Sequence, residues 1–201
     1  MRPPHGRAGD TTPLRARYPG RIHCDGLADE GAACIKRAFV TSQLFSSDLG
    51  GLSGADAKCQ SLADAAGLGG SYVAWLSDTT TSASQRLSHL AGPYVLVDDA
   101  TVIADDWAEL TSGNIQHAID VTELGTAPPA GTNECLVDWN MAVVWTCTSN
   151  AGETECESAC GDWTGQPGTC SLGWVASSEF WSAGCNGDLC TGTAALYCFE
   201  Q

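Results

Sequence analysis

Eleven cysteines, at positions 24, 34, 59, 135, 147, 156, 160, 170, 185, 190 and 198, dominate the chemistry open to this 201-residue chain. Eight of them fall in the last 67 residues. Structural zinc wants tight C-x2-C pairs with partner histidines. Here the close spacings are C-x3-C at Cys156 and Cys160 and C-x4-C at Cys185 and Cys190, and His5, His23, His89 and His117 all lie outside the cysteine-rich third. Disulfides in an oxidising compartment are therefore the stronger reading. The N-terminus, "MRPPHGRAGDTTPLRARYPGRIHC", shows no apolar core of leader length, and against it the cysteines decide for an extracellular or cell-surface location.

Other chemistry-bearing residues cluster in the same third. Glu153, Glu155 and Glu157 alternate, which on an extended segment puts three carboxylates on one side, where mutual repulsion invites a cation. With Asp162 and Asp188 they are the candidate calcium ligands, and calcium is the one candidate cofactor. Trp163, Trp174 and Trp181, with Gln166, are the candidate ligand-binding residues, because tryptophan is enriched where binding energy concentrates. Catalytic signatures are missing: there is no G-x-S-x-G elbow, no H-E-x-x-H, no P-loop and no glycine-rich dinucleotide turn. A non-enzyme is expected.

Charge narrows the partners. The net charge is -15, but seven of the nine basic residues lie at or before Arg37. Beyond it only Lys58 and Arg86 oppose 20 acidic residues, a balance of -18. Such a surface repels nucleic acid and heparin. No apolar run approaches the roughly 20 residues of a membrane-spanning helix.

The elements that must position these groups can be read from punctuation. Residues 1–23, with five arginines and four prolines, read as a disordered lead-in, and residues 24–35 as a small loop closed by Cys24 and Cys34. "IKRAFVTS" reads as a first strand. In "GGLSGADAKCQSLADAAGLGG" Ser53 is the expected N-cap, Asp56 the capping-box acid and Gly67 the stop. Ala55, Cys59, Leu62, Ala63 and Ala66 then share one helix face, so Cys59 points into the core. "SYVAWLS", "PYVLVDD", "MAVVWTCTS" and "TAALYCFEQ" read as strands and "DDWAELTSG" as a short helix. Residues 148–192 show little periodicity and read as a long loop, of the kind that is functional or stapled.

The ordered blocks "VTS…GGLSGADAKC", "GLGGSYVAWLSD", "GPYVLVDD", "DDWAELTSG", "VVWTCTSNAG", "CGDW" and "LYCFEQ" resemble endostatin. They resemble more closely a bacterial domain family of unknown function that includes leptospiral endostatin-like outer-membrane proteins. The resemblance covers residues 36–201 and implies an α+β, C-type-lectin-like fold with paired terminal strands and a long disulfide-stapled loop region. It implies that Cys59 bonds Cys198 and Cys160 bonds Cys190. The other seven cysteines have no counterpart. Pairing Cys24 with Cys34, Cys147 with Cys156 and Cys170 with Cys185, leaving Cys135 over, is one arrangement among those the sequence leaves open.

Endostatin's arginine cluster and N-terminal zinc histidines have no match here, so heparin and zinc binding are not carried over. The calcium cage of sugar-binding C-type lectins is incomplete: "GQPGTC" has Gly168 where an acid belongs, and Ser182 follows Trp181. The function expected is a non-catalytic extracellular binding module that recognises a protein or glycan through residues 148–192. A calcium-dependent lectin with a variant site and a purely structural surface domain are the alternatives.

Overall fold

The computed structural model describes residues 34–89, 91–132 and 141–201. The readings of residues 1–23, of Cys24 with its pairing, and of Cys135 lie outside the described residues, as does the side chain of Asp188.

Among the described residues the chain is mixed α+β, with two sheets. In order it forms β1 (Lys36–Val40), α1 (Gly51–Ala66), β2 (Tyr72–Ala74), α2 (Ala83–Arg86), β3 (Tyr94–Val95), β4 (Val102–Ala104), α3 (Trp107–Leu110), β5 (Val143–Trp145), β6 (Thr169–Trp174), β7 (Cys185–Leu189) and β8 (Tyr197–Glu200). The larger sheet runs β2-β8-β1-β3-β4 and the smaller β5-β6-β7. The first and last strands pair antiparallel, with Phe39 opposite Cys198. The smaller sheet joins the larger where Trp145 donates its backbone N–H to Ala195 O just before β8.

Strand alternation explains why this sheet is covered on both faces. Phe39, Tyr72, Ala74 and Cys198 point to α1, whose Ala55, Cys59 and Ala63 meet them in one core. Ala38, Val40, Tyr197 and Phe199 point the other way, into a second core around Trp75 and Trp181. Trp75 packs there against Trp181 at 4.8 Å and Phe199 at 5.5 Å between ring centroids.

The buried face of α1 falls where the periodicity puts it, and Gly67 closes the helix in a left-handed conformation at φ 70°. The start differs. The helix begins at Gly51, and its cap is Gly50, at φ 81°, with no side-chain bond, so Ser53 lies inside the helix. Two observations account for this. Leu49 and Gly50 donate their amides to Trp163 O at 2.9 and 3.1 Å, which fixes the entry of the chain. Asp56, the expected capping acid, is drawn instead to Arg86, whose Nη2 reaches both carboxylate oxygens at 2.6 and 2.7 Å. Arg86 Nη1 also donates to Ala74 O and Leu76 O, so one cation ties α1, α2 and β2 together.

Lys36 is buried on β1, at 2% exposure. Burial pushes its ammonium down to about 8, while Glu200 pulls it back up. Between pH 8 and the usual lysine value the folded chain holds fewer protons than the unfolded one, so stability from this group rises with pH across that window. Below it a buried charge carries its full cost. Lys36→Met is expected to abolish that rise, so the variant's stability relative to the wild type is greater at pH 7 than at pH 10.5. Urea unfolding of both proteins at pH 7 and 10.5 checks this, and an equal difference at both pH values would contradict it.

Candidate functional site

Residues 148–192 are not one loop. They contain β6 and β7, which pair antiparallel from Thr169 opposite Leu189 to Leu172 opposite Cys185, with a register shift between Cys170 and Ser171. The other edge of β6 lies on β5, with Val144 opposite Gly173. Glycines at close approaches set this geometry. A Cβ on Gly173 would lie 1.9 Å from Trp181 O, and one on Gly184 would lie 2.7 Å from the Trp174 ring. Trp174 therefore rests on bare backbone.

Trp163 and Trp181, both 0% exposed, belong to the core and are removed from the candidate binding surface. Trp163 donates its indole N–H to Ser77 O at 2.8 Å and lies 6.0 Å from Trp145. Trp181 fills the core between Trp75 and Tyr197. Ser182, which follows it, is also fully buried. It accepts from Trp75 Nε1 at 2.7 Å and donates to Thr148 O at 2.6 Å, so its hydroxyl is taken up by a buried polar network.

Trp174 is the one candidate tryptophan that reaches the surface, half-buried at the end of β6. Phe180, 43% exposed, packs beside it at 5.5 Å, an aromatic pair that the sequence reading missed. Trp174 N donates to Phe180 O, and Ser177 Oγ accepts from the amides of Glu179 and Phe180 at 3.2 and 2.8 Å. Asn150 Nδ2 braces the tip from below, donating to Glu179 O at 2.7 Å and Gly113 O at 3.0 Å. Gln166 is exposed but lies before the opposite end of β6, which at about 3.3 Å per residue is roughly 16 Å long. Trp174 and Gln166 are thus not brought together.

The acidic candidates are also dispersed in role. Glu153 and Glu157 are exposed. One Glu155 oxygen accepts from Asn186 Nδ2 at 3.1 Å, while the other is buried without a hydrogen-bond partner. Asp162 accepts from the amide and hydroxyl of Thr79 at 3.0 and 2.8 Å. Among the described residues the three or more metal-ligating side chains that converge are Cys160, Cys170 and Cys190. Two of those sulfurs are already bonded to each other, which leaves a single thiolate to offer a metal.

Covalent staples hold the region. Cys59 bonds Cys198 with Cα atoms 5.5 Å apart, Cys160 bonds Cys190 at 5.4 Å and Cys147 bonds Cys156 at 5.2 Å. The Cys170–Cys185 pair is a correction. The strand register puts Leu172, not Cys170, opposite Cys185. Cys185 and Cys34 are held in other disulfides, and Cys170 keeps a buried thiol.

Cys160 lies in a turn of left-handed helix. Cys160, Gly161 and Asp162 have φ of 56°, 67° and 54°, and the flanking Ala159 and Trp163 are also positive, at 43° and 64°. Each non-glycine residue there costs on the order of 1 kcal/mol. The turn is held by the disulfide, by Thr79 on Asp162, and by the Trp163 bonds to Ser77, Leu49 and Gly50.

Lys58, Arg86, His89 and His117 are engaged within the fold. Lys58 donates to Leu49 O at 3.2 Å and sits 5.6 Å from the Phe45 ring, so both basic residues beyond Arg37 are engaged structurally. His89 stacks on Trp107 at 3.9 Å with Nε2 at Ser84 O, and His117 Nδ1 meets Ala118 O. Among the described residues no helix is long and apolar enough to cross a membrane. Compared with known proteins, the chain matches no family model and no curated protein.

Proposed function

We propose that the chain is a C-type-lectin-like, non-catalytic binding module of the extracellular space or cell surface. In this reading it recognises a protein or glycan through the aromatic pair Trp174 and Phe180. The observation that carries this reading is that pair's exposure on a hairpin whose backbone is locked by glycine contacts, hydrogen bonds and disulfides. A rigid aromatic surface loses little entropy on binding, and its faces stack on sugar rings, prolines or cationic side chains. The paired terminal strands and the helix tied to the last strand support the lectin-like assignment. The acidic surface, with Lys58 and Arg86 already engaged, favours neutral or basic partners over polyanions such as heparin or nucleic acid.

Glycan and matrix-protein arrays probed with the intact protein supply the ligand. Trp174→Ala and Phe180→Ala are each expected to weaken binding to it at least tenfold, in the range of interface hot spots. Asp64→Ala and Leu124→Ala, exposed elsewhere, should change it less than about twofold. Loss of binding in the second pair and not the first, with circular dichroism unchanged in all four, would overturn the assignment.

A further inference from the structure

We propose that the Cys160–Cys190 disulfide is a switchable bond, exchanged by the Cys170 thiol within the folded chain. Cys170 lies on β6 at 1% exposure and keeps its thiol. The sulfurs of Cys160, Cys170 and Cys190 all lie within 4.8 Å of one another. A thiol held this close to a disulfide is positioned for intramolecular thiol–disulfide exchange, and its burial, which disfavours the thiolate, makes that exchange slow at acid pH.

The step balances without an outside oxidant or reductant. The Cys170 thiolate attacks Cys190 Sγ, the Cys170–Cys190 bond forms, and the Cys160–Cys190 bond breaks. Cys160 leaves as a thiolate and takes up the proton that Cys170 gave to solvent. Attack falls on Cys190 because the two residues share one hairpin: Cys170 is opposite Asp188, and Cys190 N donates to Gly168 O at 3.3 Å. The product therefore links neighbouring strands. The leaving group, Cys160, belongs to the left-handed turn, where every non-glycine residue is held in a disfavoured conformation. Its release frees that turn from β7 while the Cys59–Cys198 and Cys147–Cys156 bonds stay in place. The hairpin stays paired, and the segment leading into it gains freedom. This switch stands whether or not Trp174 and Phe180 bind a ligand.

Exchange needs the thiolate, so its rate should climb with pH, about tenfold per unit while the thiol remains mostly protonated. The full-length protein is held at pH 5 or pH 8.5 without added thiol, quenched in acid, denatured and alkylated with a maleimide so that buried thiols react, and mapped as non-reduced peptides. At pH 5 the expected pattern is Cys160 bonded to Cys190 with the label on Cys170. At pH 8.5 a Cys170–Cys190 peptide should accumulate with the label moved to Cys160, while Cys59–Cys198 and Cys147–Cys156 persist in the same sample. Cys160→Ser, refolded in a glutathione redox buffer that supplies the oxidant, should carry Cys170–Cys190, and Cys170→Ser should keep Cys160–Cys190 at both pH values. The proposal is overturned if wild-type Cys190 stays bonded only to Cys160 after prolonged incubation at pH 8.5. It is equally overturned if the new linkage appears only together with loss of Cys59–Cys198, the mark of general scrambling.

Discussion

Removing the staple between α1 and the last strand, as Cys59→Ala with Cys198→Ala, is expected to cost about 5 kcal/mol and lower the melting temperature by roughly 10–20 °C. The bond spans 139 residues, so most of its effect falls on the unfolded chain, whose freedom it restricts. It also holds Cys59 against Cys198 in the core between helix and sheet, and both are fully buried. Removing Cys147–Cys156, which spans nine residues, should cost about half as much, since closure entropy grows with the logarithm of loop length. Urea and thermal unfolding of the two double variants decide the matter. Equal losses would show that native-state packing, not chain entropy, sets the contribution of the long staple.

Gly173→Ala is expected to be among the most damaging single substitutions, at about 3 kcal/mol or more. The added methyl would sit 1.9 Å from Trp181 O and 2.9 Å from Val144 Cγ2, and backbone cannot yield as a side-chain tip can. The strain falls mainly between β6 and the Trp181 segment, directly beside Trp174, so ligand binding should fail along with stability. Gly187→Ala is the control. Its φ of +81° is unfavourable for alanine, but nothing lies within 4 Å of the added carbon, and about 1 kcal/mol is expected. Urea midpoints of the two variants should differ accordingly, and equal midpoints would mean that β6 shifts freely against the Trp181 segment.

The parts legible in the sequence are those whose residues report their surroundings by period. The spacing of Ala55, Cys59, Leu62 and Ala63 marks the buried face of α1, and β-formers mark β1 and β8. The helix start was not legible, because it depends on Trp163 O accepting from Leu49 and Gly50, a contact more than 100 residues away in sequence. β6 and β7 were hidden by composition. "TCSLGW" and "CNGDL" hold glycine, asparagine and aspartate, which disfavour strands, and their pairing comes from glycines that let other backbone approach. Three tryptophans in an aperiodic stretch give no hint of which faces inwards. Trp163 and Trp181 turned out to be core, and only the partner Phe180 marks Trp174 as surface. The left-handed turn at Cys160 likewise has no signal in residue type, since glycine occupies just one of its five positions.

The central claim is that the Trp174–Phe180 surface meets the ligand, and oxidative footprinting of the free and ligand-saturated protein tests it without altering a residue. Hydroxyl radicals modify exposed aromatic side chains, so Phe180 and Trp174 should label readily in the free protein, while the buried Trp163 and Trp181 should not. On saturation with the array-identified ligand, labelling of Phe180 and Trp174 should fall several-fold, and that of Leu124, 63% exposed, should stay constant. Protection at Leu124 or Gln166 with Phe180 and Trp174 unchanged would contradict the claim and move the binding surface elsewhere on the molecule.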